Sequence, residues 1–141
     1  MTTFSVDSNI LIALWDDTDA LNVPACQCLA RARTLGQLTV SAPVFGELMG
    51  HPSRSVAEIE TFLSRTGIEI DWEMEPAIWR TAGAAFQRYV QRRLDQTNKL
   101  PRRILTDFLI GAQAIVRGYA LLTMDGRLYR ASFPGIRVES F

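Results

Sequence analysis

Short apolar runs of strand length alternate with helix-length segments along this chain, and that alternation predicts an α/β fold with a mainly parallel sheet covered by helices on both faces. The expected strands are residues 3–7, 38–41, 68–71, 119–123 and 136–139. Helices are expected over 8–15, 19–34, 44–50, 55–64 and 75–95, and over a last segment ending at Gly118. Asp17, Thr18 and Asp19 offer capping side chains for the second helix. Pro76 suits a first helical turn, and Gly50-His51-Pro52 reads as a stop. Leu105, Phe108, Leu109, Ala112, Ile115 and Val116 recur at helical spacing. The run 119–123 is almost uninterruptedly apolar, as in a strand buried on both faces.

A parallel sheet also says where chemistry belongs, because ligands bind beyond the carboxyl ends of its strands. Asp7 falls at the end of the first expected strand and Asp125 just after the fourth. Phe4, Val6, Ile10, Leu11 and Ile12 surround Asp7 with apolar groups, where a carboxylate is costly unless paired or bound to a cation. Capping the helix that begins near Ser8 is the plainer use of this acid. Glu47 is the only charge between Arg33 and Arg54, and a solvated position on a short helix is its alternative. Asp107 is the only acid from Gln96 to Met124, with Gly111, Ala114 and Gly118 along its helix face, a strip expected to admit another backbone. Asp125 precedes Gly126, so a turn-forming role competes with a ligand role.

Carboxylates crowded in one cleft repel one another, and a divalent cation relieves that repulsion. Oxygen-only ligands favour Mg²⁺ or Mn²⁺ over zinc. Such an ion can activate water and shield the charge developing on a phosphodiester. No P-loop, dinucleotide glycine fingerprint or nucleophile elbow offers another chemistry.

Charge is polarised along the chain: 11 acids and 4 bases precede residue 76, and 11 bases and 4 acids follow. That division suits a protein holding cations beside an anionic chain, and it also serves plain solubility. Arg88, Arg92, Arg93, Lys99, Arg102 and Arg103 lie within 16 residues that contain one acid, Asp95. They are candidates for RNA phosphates or an acidic partner segment, with a solvated face as the alternative. Trp15, Trp72 and Trp79 receive no role, and His51 reads as a loop residue.

With 141 residues, 48% of them hydrophobic and 21% charged, and no repeat or linker, residues 1–141 read as a single domain. No apolar run reaches the roughly 20 residues of a membrane span. No basic segment precedes an apolar stretch near Met1, so a cytoplasmic protein is expected. Cys26 and Cys28 point apart on a helix and read as ordinary thiols.

The succession Val6-Asp7-Ser8-Asn9, Phe45-Gly46-Glu47-Leu48, Thr106-Asp107-Phe108-Leu109-Ile110 and Leu121-Leu122-Thr123-Met124-Asp125 resembles the PIN-domain nucleases, most of all the VapC toxins of bacterial toxin–antitoxin pairs. The resemblance covers essentially the whole chain. It implies a three-layer α/β/α PIN sandwich, Mg²⁺- or Mn²⁺-dependent endoribonuclease activity, a cognate antitoxin and a homodimer. Asp7, Glu47, Asp107 and Asp125 would surround the metal, with Asn9 and Thr123 supporting them by hydrogen bonds. Tyr129 stands where the family more often has phenylalanine. Gly126-Arg127 replaces more acidic or polar residues, which leaves Asp125 the least secure ligand. A non-catalytic module holding RNA or protein on the same fold is the alternative function.

Overall fold

The computed structural model describes residues 1–97 and 105–140. Its strands are β1 (Thr2–Val6), β2 (Gly36–Ser41), β3 (Ile68–Asp71), β4 (Ala120–Leu122) and β5 (Arg137–Glu139). They form one sheet in the order β3-β2-β1-β4-β5, parallel at every pairing. The helices are α1 (Ser8–Leu14), α2 (Asn22–Leu35), α3 (Ala42–Leu48), α4 (Val56–Arg65), α5 (Pro76–Thr97), α6 (Leu105–Arg117) and α7 (Arg127–Ser132). Strands and helices build the expected three-layer α/β/α sandwich.

Burial follows from position in the sheet. Central β1 buries Phe4, Ser5 and Val6, and β4 buries all three of its residues. The edge strands β3 and β5 leave Glu69 and Arg137 in solvent. Ile10, Leu11, Leu48, Ile59, Leu63 and Ile110 fill the space against the sheet. Each such side chain contributes about 1.5–3 kcal/mol relative to exposure.

Local chemistry explains several element ends. Ser55 and Glu58 close a capping box at the start of α4. Gly67 and Gly118, at φ 73° and 70°, take the left-handed conformation that ends a helix. The expected start of the second helix moves from residue 19 to Asn22. Asp16 accepts hydrogen bonds from the N–H and hydroxyl of Thr18, and Asp19 from the N–H of Leu21. These side chains close local turns instead of opening the helix.

One helix was not expected. Helix α7 is six residues long, too short to display a hydrophobic period, and tertiary packing holds it. Phe133, its C-cap, lies against Gly111 of α6, where an added Cβ would come within 2.4 Å of the ring. At Gly111 the small strip on α6 thus admits an aromatic side chain.

Chain order then locates a crevice. From β1 the sheet grows outward through β2 and β3 on one side and through β4 and β5 on the other. The topological switch point therefore lies between the carboxyl ends of β1 and β4, where open parallel sheets bind ligands.

Candidate active site

Asp7 is the first residue beyond β1, and it serves as N-cap of α1 while sitting at the switch point. Its N–H extends the sheet ladder to the Leu122 carbonyl at 2.8 Å. Its side chain is buried, with 5% residue exposure, and three donors meet it. The Ser8 N–H donates to Oδ1 at 2.8 Å. The Thr123 hydroxyl and the Tyr129 phenol both donate to Oδ2, at 2.8 and 3.0 Å. Burial pushes the Asp7 carboxyl above its ordinary range, and the donors oppose that shift without cancelling it.

Thr123 is a junction. Its Oγ1 accepts from Asn9 Nδ2 at 3.3 Å and from the Asp125 N–H at 3.2 Å. Its hydroxyl proton has two acceptors within reach, Asp7 Oδ2 at 2.8 Å and the Asp125 carbonyl at 3.5 Å, and the shorter contact is to Asp7. Asn9 completes the tie, since its Oδ1 accepts from the Met124 N–H at 3.3 Å. The carboxyl ends of β1 and β4 are thereby bound together through side chains. Asn9 therefore bonds to both Thr123 and Met124, and Thr123 to Asp7.

Glu47 arrives from β2 through α3, whose start is capped by Ser41. The Ser8 hydroxyl donates to Glu47 Oε1 at 3.2 Å, so Ser8 contacts two of the carboxylates. Partial burial and the charges of Asp7 and Asp107 push the Glu47 carboxyl up to about 6. Asp107 sits in the first turn of α6, where the positive end of a helix dipole favours an acid. The Tyr129 phenol is driven far upward by burial, Asp7, Asp107 and Glu47, and so stays a donor. The charges of Asp7 and Asp107 thus bear on Glu47, and those of all three acids on Tyr129.

Asp125 behaves differently. Its Oδ1 accepts from the Arg127 N–H at 3.3 Å and lies 3.7 Å from Arg127 Nε. It shapes the turn from β4 into α7, the turn-forming use weighed for it above.

Among the described residues no group of three His, Cys, Asp or Glu side chains closes into a ready-made metal cage. An all-oxygen set of interacting acids fits a hard, hydrated ion, since Mg²⁺ keeps several waters and takes one or two carboxylates besides substrate phosphate.

Other expectations fall elsewhere. Arg88 and Arg92 are exposed on α5 and Arg93 is partly buried, while Lys99, Arg102 and Arg103 lie outside the described residues. His51 stands edge-on to Trp15 with ring centroids 5.3 Å apart. Cys26 and Cys28 are free thiols. Part of the charge polarity is structural: Arg117 at the end of α6 pairs with Asp71, Glu73 and Glu75, tying α6 to the connection between β3 and α5. Sequence reasoning missed Ser8 and Tyr129 as site residues. The available signals were a serine directly after the strand-end acid and a phenol at an otherwise apolar position.

Among solved structures, VapBC-1 from nontypeable Haemophilus influenzae matches with a TM-score of 0.70 and 14% identity, over 99% of this chain and 98% of that one. VapBC2 from Rickettsia felis, bound to a DNA fragment from its promoter, matches with a TM-score of 0.65 and 18% identity over 99% of both chains. VapC20 from Mycobacterium tuberculosis, a Sarcin-Ricin loop cleaving toxin, matches with a TM-score of 0.58 and 19% identity, over 96% of this chain and 99% of that one. These likenesses concern the fold. No curated protein matches the chain. The PIN domain family does match, over residues 5–134, a span that takes in all four acids, and the chain belongs to that family.

Proposed function

We propose that this chain is a divalent-cation-dependent endoribonuclease and the toxin of a toxin–antitoxin pair, acting as one PIN unit over residues 1–141. The observation that carries the reading is the convergence of Asp7, Glu47 and Asp107 at the switch point, where Ser8 bonds to both Asp7 and Glu47, and where burial first, and then the charges of Asp7 and Asp107, lift Glu47 to about 6. Membership of the PIN family supports a nuclease. Relatives of the same fold that are VapBC complexes support an antitoxin partner, and the Sarcin-Ricin loop cleaving toxin supports RNA as substrate. A cytoplasmic location fits that activity, and no described helix is long and apolar enough to cross a membrane.

Asp7, Glu47 and Asp107 are the residues that would hold Mg²⁺ or Mn²⁺, with Asp125 a weaker contributor. When bound, the cation supplies charge compensation for the phosphodiester and makes a water molecule more acidic. The protein's own groups prepare the site for this. Ser8, Thr123 and Tyr129 keep Asp7 in one orientation, so little reorganisation is needed during reaction. Glu47, displaced toward neutrality, is suited to take a proton at its carboxylate. The exposed Arg88 and Arg92 offer cations to RNA phosphates or to an acidic antitoxin segment.

EDTA is expected to abolish cleavage of structured RNA by the purified protein, and Mg²⁺ or Mn²⁺ to restore it. Asp7→Asn is expected to abolish cleavage with an unchanged far-ultraviolet circular dichroism spectrum. Cleavage that survives both the chelator and the substitution overturns the proposal.

A further inference from the structure

We propose that Tyr129 is a positioning residue whose phenol hydroxyl holds Asp7 in the orientation that binds the divalent cation. The inference rests on the nuclease reading above and assigns a role to a residue outside the four acids. Tyr129 lies on α7 with 3% exposure, and its hydroxyl donates to Asp7 Oδ2 at 3.0 Å. The same oxygen receives the Thr123 proton at 2.8 Å. A carboxylate offers about four acceptor directions, two on each oxygen. Two donors therefore occupy Oδ2. Oδ1 receives the Ser8 N–H, and the Ser8 hydroxyl, which also bears on Asp7, donates its one proton to Glu47 Oε1, so Oδ1 keeps a direction for a cation.

The tether also has the stiffness a positioning group needs. Tyr129 reaches Asp7 from α7, which docks on α6 through Phe133 against Gly111. Thr123 reaches it from the end of β4. Asp7 is thus braced by two chain segments more than 110 positions away in sequence, as well as by its neighbour Ser8. Hydrogen-bonding partners of metal ligands commonly set affinity, and losing one weakens binding about 10- to 100-fold. A phenylalanine would retain the ring in its pocket and remove only the donor.

The test compares Mn²⁺ binding by calorimetry in the unaltered chain, in Tyr129→Phe and in Ile59→Val. Ile59 is fully buried on α4 and makes no described contact with the carboxylates, so it controls for general loosening of the core. Tyr129→Phe is expected to raise the Mn²⁺ Kd about tenfold. Its lost RNA cleavage is expected to recover as Mn²⁺ is raised. Ile59→Val is expected to leave the Kd unchanged. An unchanged Kd in Tyr129→Phe overturns the inference while leaving the nuclease reading intact. An equal rise in Ile59→Val overturns it too, by tracing the effect to stability. Absence of Mn²⁺ binding by the unaltered chain overturns the metal reading and this inference with it.

Discussion

Asp7 and Asp125 follow adjacent parallel strands at the same edge of the sheet, yet their surroundings are opposite. Asp7 is 5% exposed and receives three hydrogen bonds, two of them from segments distant in sequence. The side chain of Asp125 is 40% exposed, and its carboxylate bonds to Arg127, two residues on. The paired guanidinium of Arg127 is 94% exposed, so the ion pair contributes little. Neighbouring strand ends therefore place their acids in unlike surroundings. Burial raises the energy of an unpaired charge, and that energy is what makes an acid a strong ligand for donors and cations. Asp7 has this property, and Asp125 lacks most of it.

The strongest way to break the contrast is to neutralise each acid in turn. Asp7→Asn is expected to lower RNA cleavage about a thousandfold or more, the equivalent of several kcal/mol. Asp125→Asn is expected to lower it about tenfold, as for a group acting through a neighbour. Equal losses in single-turnover assays erase the distinction. A smaller effect comes from cutting the link between the two ends. Thr123→Val removes the donor to Asp7 and the acceptor for Asn9 and the Asp125 N–H. Leaving buried partners unsatisfied costs about 1–3 kcal/mol, to be read as a lower urea midpoint. A midpoint equal to that of the unaltered chain shows that the junction does not hold the two ends together.

The smallest effect concerns Glu47, which is partly buried. Its carboxyl rises from 4.5 to about 6 on folding, so the folded chain binds that proton more tightly than the unfolded chain. Its contribution to stability is then fully present at acidic pH and is lost as pH climbs through that interval. Without added cation, the unaltered chain should weaken relative to Glu47→Gln between acidic and neutral pH. Urea midpoints that stay parallel across that range remove Glu47 from the interacting group.

These contrasts also mark what was legible beforehand. Asp7, Glu47 and Asp107 stood out because each is an isolated charge in an apolar stretch, and isolation of that kind is visible one residue at a time. The parallel sheet was legible because strand and helix periods differ, and the buried run at β4 carried no polar interruption. Helix α7 was not legible, since six residues hold too little period and Gly126 and Pro134 bracket it with turn signals. Tyr129 read as a mild departure from a family pattern, and Ser8 only as a helix start. Their roles depend on partners that the chain brings close from far along its length.

The sequence by itself determined the order of the five strands and of the helices other than α7, and the strand-end placement of Asp7. Those properties are local, set by hydrophobic period, capping residues and the cost of a charge among apolar neighbours. Only the tertiary structure decided how Asp7 is held. The crossing from β3 back to β4 puts Thr123 beside β1, and the docking of Phe133 on Gly111 sets α7 against the same edge. A hydrogen bond forms only when donor and acceptor approach to about 3 Å, a condition no one-dimensional pattern states.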